Sequence, residues 1–213
     1  MAERRTTRTK ARSESGANES GNARRVSRSD RREEVRNQLE QIFLREGFRD
    51  LTIDQLAKRL KCSNRTLYEI APSKEEMFLF ILNRWLERIR HLGWRGALQH
   101  SEPIKRIEAF LHPGVSETRN AGADFVEDVR SYLPAKQMLA RHQEERMKFL
   151  EDIVSDGIAR GSFRELHPYL VAEILLSAVT RIDELDFQSR SGLTFSEAFS
   201  ELYDLVLHGL IAK

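Results

Sequence analysis

Apolar residues fall at Val35, Leu39, Ile42 and Phe43, spacings of four, three and one that place them on one face of a helix. Ser29 or Asp30 can cap its start, and Gly47 stands where a left-handed residue ends a helix at little cost. Thr52 can cap a short second helix with Ile53, Leu56, Ala57 and Leu60 inside. Lys61-Cys62 leaves room only for a turn, and Ser63 opens a third helix running through Ile70, stopped by Pro72. Ser73, three residues before Glu76, has the spacing of a capping box for a long fourth helix with Met77, Phe78, Ile81, Leu82, Trp85 and Ile89 inward. Gly93 and Gly96 loosen its end. Further helical patterns cover 103–111, 124–132 (broken at Pro134), 136–159, 168–187 and 194–211, the last two separated by a loop at Ser189-Arg190-Ser191-Gly192. No run alternates strictly between turn signals, so no strand is expected. The pattern predicts an all-α chain of about nine helices: an N-terminal three-helix unit carrying a helix-turn-helix, then a larger helical body.

Charge divides the chain unevenly. Residues 1–28 carry a net +5, residues 29–75 a net +1 and residues 76–213 a net −4. A basic front on an acidic body suits a polyanionic partner at the N-terminal end. Residues 1–28 contain almost nothing to bury and are expected to be a disordered tail whose arginines can add counterion-release contacts to DNA. No stretch longer than eight residues lacks a Lys, Arg, Asp or Glu, which leaves no room for the roughly 20 apolar residues of a membrane span. A single cysteine, Cys62, and no apolar leader point to a cytoplasmic protein without a membrane partner.

The chemistry concentrates in residues 52–71. The third helix would present Ser63, Asn64, Arg65, Thr66 and Tyr68, with Thr52 at the cap of the helix before it. Arginine can donate twice to a guanine edge and asparagine can pair with adenine. Threonine can bond or press its methyl on thymine, and tyrosine can donate to phosphate. Two short helices around a tight turn, the second bearing such a cluster, form the usual reader of a double-stranded DNA major groove.

The run from Arg31 to Trp85 resembles the N-terminal domain of the tetracycline-repressor (TetR/AcrR) family of transcription factors. The resemblance rests on Gly47-Phe48, Leu51-Thr52, Ile53, Leu56-Ala57, Ser63, Thr66-Leu67-Tyr68 and Pro72-Ser73-Lys74-Glu75-Glu76-Met77. Weaker likenesses follow at Phe125-Val126-Glu127-Asp128-Val129-Arg130 and Gly157-Ile158-Ala159-Arg160-Gly161-Ser162-Phe163. It implies a homodimeric regulator with a DNA-binding domain at 29–75 and an effector-binding and dimerisation domain at 76–213, acting as a repressor released by a small molecule. It also suggests that Lys74 reaches a phosphate. Two departures stand out. Lys61 occupies the turn where the family usually has glycine, at a cost of about 1 kcal/mol, and Glu69-Ile70-Ala71 replaces an aromatic stretch. The alternative reading, supported by Glu69 and Ala71, is a helical small-molecule-binding or scaffold protein with a drifted reading helix.

Two groups complete the expectations. Trp85, Ile89, Phe110, Phe125, Val129, Met138, Phe149 and Ile174 lie on several helices and are candidates for an effector cavity. Leu170, Ile174, Leu175, Ala178 and Ile182, with Phe199, Leu202, Val206 and Leu210, are candidates for a dimer seam. Apolar positions run almost round helix 168–187, more than one core needs. No nucleophile–base pair, phosphate-cradling loop or metal-ligand spacing occurs, so neither an enzyme nor a bound cofactor or metal is expected.

Overall fold

The computed structural model describes residues 28–182 and 184–211, leaving the expectations about the 1–28 tail outside the described residues apart from Arg28. Ten helices follow in order: α1 (Arg28–Glu46), α2 (Ile53–Arg59), α3 (Asn64–Tyr68), α4 (Lys74–Leu98), α5 (Pro103–Thr118), α6 (Ala123–Ser131), α7 (Leu133–Ala159), α8 (Pro168–Ile182), α9 (Leu185–Ser191) and α10 (Phe195–Leu210). No strand forms among the described residues; one isolated bridge pairs Phe163 with Ile211.

The departures from the sequence reading have local causes. Helix α5 runs on through Pro113 to Thr118, because Phe110, Leu111, Pro113, Gly114 and Val115 are all buried and hold the turn around the proline. Pro134 opens α7 from its first turn, where a missing N–H leaves no bond unmade. Helix α3 stops at Tyr68, two residues before Ile70. The expected 168–187 helix ends at Ile182, and a short α9 takes the place of the loop at 189–191, closed by Gly192 in the left-handed region. The tenth helix comes from that split.

Two apolar clusters make the core. The first gathers α1, α2, α3 and the front of α4 around Leu39, Phe43, Leu56, Leu67, Phe78 and Ile81, with Phe125 and Val129 of α6. The second joins the end of α4 to α5, α7, α8 and α10 around Ala97, Ile107, Phe110, Leu150, Leu175 and Phe199. An aromatic chain runs from head to body: Phe48 stacks on Phe78 at 4.3 Å, Phe78 meets Phe125 edge-on at 5.7 Å, and Phe125 meets Trp85 at 5.4 Å. Helices α1, α4 and α5 are also tied by charge: buried Glu40 pairs with Arg84 at 3.1 Å and Arg88 at 2.5 Å, and Arg88 with Glu117 at 3.0 Å.

Candidate nucleic-acid interface and effector cavity

Caps define the helix hairpin. Thr52 accepts from Gln55 N while the Gln55 side chain accepts from Thr52 N, closing a full capping box on α2. Ser63 caps α3 by accepting from Thr66 N at 3.2 Å, and its hydroxyl lies 3.0 Å from that of Thr66. Five residues are too few to be helical alone; this cap and the complete burial of Leu67 hold α3 in place. Lys61 makes the turn at φ 49°, the one non-glycine residue in the left-handed region among those described, so the strain expected there is present.

The candidate DNA residues divide by what already engages them. The Arg65 side chain is 90% exposed, reaching no nearer than 3.9 Å to Glu69, and Tyr68 beside it is half exposed. Both face solvent on one surface of α3. Asn64 donates to Asp54 at 2.6 Å, which braces α3 on α2 and fixes the amide. Thr52, Ser63 and Thr66 serve the caps. Glu69, one of the two residues behind the drifted-helix reading, accepts from Arg32 of α1 at 2.7 Å and is neutralised there.

Lys74 is occupied differently from the phosphate role that the resemblance implied. Its ammonium donates to the carbonyls of Arg49 and Leu51 at 2.8 and 2.7 Å and lies 5.5 Å over the Phe48 ring. It pins the α1–α2 connection to the start of α4. Lys74→Ala is therefore expected to lower stability by about 1–2 kcal/mol in thermal or urea unfolding, leaving two carbonyls unmatched. The salt slope of DNA binding should stay unchanged, whereas a fall of about one in that slope would restore the phosphate role.

Between α4, α5, α6, α7, α8 and α10 lies a cavity of about 320 Å³, within the small-molecule range. Trp85, Ile89, Phe125 and Val129 line it, as do Leu176, Val179, Phe195 and Phe199. The other cavity candidates lie elsewhere. Phe110 is wholly buried in the second core, Phe149 packs against Phe110 and Trp94, Met138 packs on the first core, and Ile174 is 56% exposed. The periodicity that marks all eight as apolar cannot say on which side of a helix the space opens.

Two residues that sequence reasoning missed face this space. His142 and Arg146, one turn apart on α7, are both buried. On a helix otherwise rich in Glu, Arg and Lys they read as surface positions, and the i, i+4 spacing was the one available signal. Burial, with the positive charges of Arg146 and Arg90 behind it, lowers the His142 pKa to about 3, so the folded ring is neutral. In the unfolded chain it titrates near 6.5. Between those values the unfolded state binds the extra proton, so this contribution is complete above pH 6.5 and is lost as pH falls towards 3. Wild type should therefore lose about 2 kcal/mol more than His142→Gln between pH 7 and pH 5 in urea unfolding. Parallel pH curves would show a protonated ring in the fold.

The dimer-seam candidates also separate. Leu175, Ile182, Phe199 and Leu210 are buried within the chain's own core. Leu170 and Ile174, at 53% and 56% exposed, and Leu205 at 71% form an outward apolar face of α8 and α10, with Ala178, Leu202 and Val206 half-buried.

A joint that the sequence did not disclose connects cavity and hairpin. Helix α6 turns Phe125, Val126 and Val129 to the cavity. Its Asp128, 4% exposed, accepts from Phe48 N at 2.6 Å and pairs with Arg49 at 3.1 Å. Gly47, at φ 67°, makes room for this: a Cβ there would stand 2.3 Å from the Asp128 carboxylate. Gly122, just before α6, donates to Leu44 O at 2.7 Å, and a Cβ there would stand 2.1 Å from Arg45 O.

No metal-holding group of His, Cys, Asp or Glu occurs among the described residues, and none of their helices is long and apolar enough to cross a membrane. Burial raises the Cys62 thiol pKa, which disfavours a reactive thiolate. Residues 38–81 match the family described as bacterial regulatory proteins, tetR family. The whole fold is similar to a transcriptional regulator from Saccharomonospora viridis determined in complex with choline, at 15% identity and a TM-score of 0.72 over 87% of this chain and 100% of that one. A TetR-family regulator from Agrobacterium tumefaciens superposes with a TM-score of 0.66 at 14% identity, over 86% and 99% of the two chains. The ketosteroid transcriptional regulator KstR2 of Mycobacterium tuberculosis does so at 0.57 and 20%, over 86% and 96%. No curated protein matches the chain. A tetR-family segment thus spans the helix hairpin at residues 38–81, and the fold around it is similar to that of TetR-family transcriptional regulators.

Proposed function

We propose that the chain is a homodimeric repressor that binds a double-stranded DNA operator in the cytoplasm through α3 and is released by a small molecule in the α4–α7 cavity. The observation that carries the reading is the state of α3: a capped, braced helix whose Arg65 and Tyr68 stay exposed, Arg65 touching only Glu69 at 3.9 Å. Asn64, Thr66 and Ser63 hold that helix, and Thr52 caps the helix it is braced on, so a groove contact by Arg65 costs little backbone ordering. The drifted-helix alternative rested on Glu69 and Ala71. Arg32 neutralises the first, and the second is buried in the core, which favours the DNA reader.

The outward face of α8 and α10 supplies the dimer contact. A two-fold copy would set two reading helices about one DNA turn, or a multiple of it, apart. Release follows from α6. A ligand pressing on Phe125, Val126 or Val129 acts on the helix whose Asp128 grips Phe48 and Arg49 at the entry to α2. An effector that favours one α6 position over another shifts the head's equilibrium by that difference in affinity. The choline complex of the Saccharomonospora viridis regulator supports a ligand-holding body for this fold.

A mobility shift on the DNA flanking the protein's own gene tests the reading. The expected result is a salt-sensitive complex that a hundredfold excess of shuffled DNA does not displace. Retardation of both DNAs alike would contradict it.

A further inference from the structure

We propose, building on the effector reading above, that the cavity takes an amphipathic carboxylate, its acid group on Arg146 and its apolar tail or ring against Trp85, Phe125, Phe195 and Phe199. The wall of this cavity is unevenly equipped. Arg146 is 4% exposed and stands against the cavity with its Nε unpartnered. What surrounds the rest of its guanidinium is uncharged: Nη2 donates to Phe110 O at 3.2 Å, the Phe110 ring lies 4.9 Å beneath, and the Tyr203 hydroxyl is beside it. No Asp or Glu pairs with it among the described residues.

Two more polar groups with no partner lie in the same wall: His142 Nδ1, one turn before Arg146, and Trp85 Nε1 across from α4. All three side chains are at least nine-tenths buried. The cavity hydroxyls of Thr118 and Thr180 donate to backbone carbonyls of their own helices, leaving only their lone pairs for a ligand. Lys136 and Glu144, also on the lining, are exposed and opposite in charge.

A buried cation without a counter-ion is costly, and an arginine keeps its charge there. A carboxylate can take the free N–H and leave the Phe110 and Tyr203 contacts in place, and charge-assisted bonds of this kind are the strong ones. A cationic ligand would meet Arg146 unscreened. A neutral ligand would leave its charge unmatched. Apart from Gln143 and the exposed Lys136 and Glu144, the remaining wall is apolar and aromatic, so the rest of the ligand is a hydrocarbon chain or ring rather than a second acid.

Calorimetric titration of the full chain with decanoate, decan-1-ol and decyltrimethylammonium tests this on wild type alone, because the three probes share a tail and differ in charge. Decanoate is expected to bind at least tenfold tighter than either of the others. Arg146→Met should remove that preference and leave decan-1-ol affinity unchanged. Equal binding of acid and alcohol, preference for the ammonium probe, no binding of decanoate, or decanoate binding indifferent to Arg146→Met would each overturn the proposal. Its failure is separable from failure of the regulator reading: the mobility shift reports DNA binding whether or not any probe binds, and the titration needs no DNA.

Discussion

Ile174→Glu together with Leu205→Glu is expected to give folded monomers that have lost most of their affinity for operator DNA. Both side chains point outward from α8 and α10, at 56% and 71% exposed, so a carboxylate at either position meets water in a lone chain and disturbs no internal packing. In a two-fold dimer the same carboxylates face their own copies across an apolar seam, and burying unpaired charge there is strongly unfavourable. Losing the dimer removes the second α3 from each binding event. The intramolecular advantage of two linked readers is of the order of 10²–10⁴ in affinity, and a hundredfold loss or more is the expected reading. Light scattering should report a dimer for wild type and a monomer for the variant, with matching helical circular dichroism. A wild-type monomer at micromolar concentration would remove the dimer from the account. Leu175 cannot serve in this test: it is wholly buried in its own chain, and a charge there would unfold the body.

Asp128→Ala should be the most destabilising polar substitution at the joint between head and body. The carboxylate accepts from Phe48 N in a buried setting and pairs with Arg49. Truncation strands a buried donor, which costs about 1–3 kcal/mol by itself, and the charge-assisted bonds add to this. A total of about 2–4 kcal/mol in urea unfolding is expected. Asp128→Asn keeps an acceptor oxygen for Phe48 N and should recover about half. The loss should also weaken the response of DNA binding to ligand, because α6 then moves without dragging the entry to α2. A variant as stable as wild type would show that Asp128 is not the clasp.

The chain announced its periodic elements and its caps, and concealed what depends on which way a side chain leans. Thr52, Ser63 and Gly47 were legible because their roles are set within four residues of sequence, and the strain at Lys61 was expected from the resemblance alone. The apolar stripes of α1, α2 and α4 were legible too. Pro113 was misleading: a helix breaker by local rules, it is tolerated because the residues beside it are packed from several sides. The candidate DNA residues were legible as a cluster, but that Lys74 donates to the Arg49 and Leu51 carbonyls was not. Arg146, His142 and Asp128 were invisible for one shared reason. Each is a polar residue on an amphipathic helix, and only the approach of other helices turns its position from surface to interior. The outward face of α8 and α10 proposed as the dimer seam was half legible: the excess of apolar positions on α8 was apparent, but Leu175 is buried and its neighbour Ile174 is exposed.

The central claim is that α3 reads sequence through Arg65. Fluorescence anisotropy of wild type and Arg65→Ala, each titrated with operator and with shuffled DNA at one salt concentration, tests it most directly. The account predicts that the variant loses about 1–3 kcal/mol per half-site on the operator and much less on the shuffled duplex, so that the two affinities converge. An equal loss on both DNAs would make Arg65 a backbone contact, and no loss on either would remove α3 from the interface.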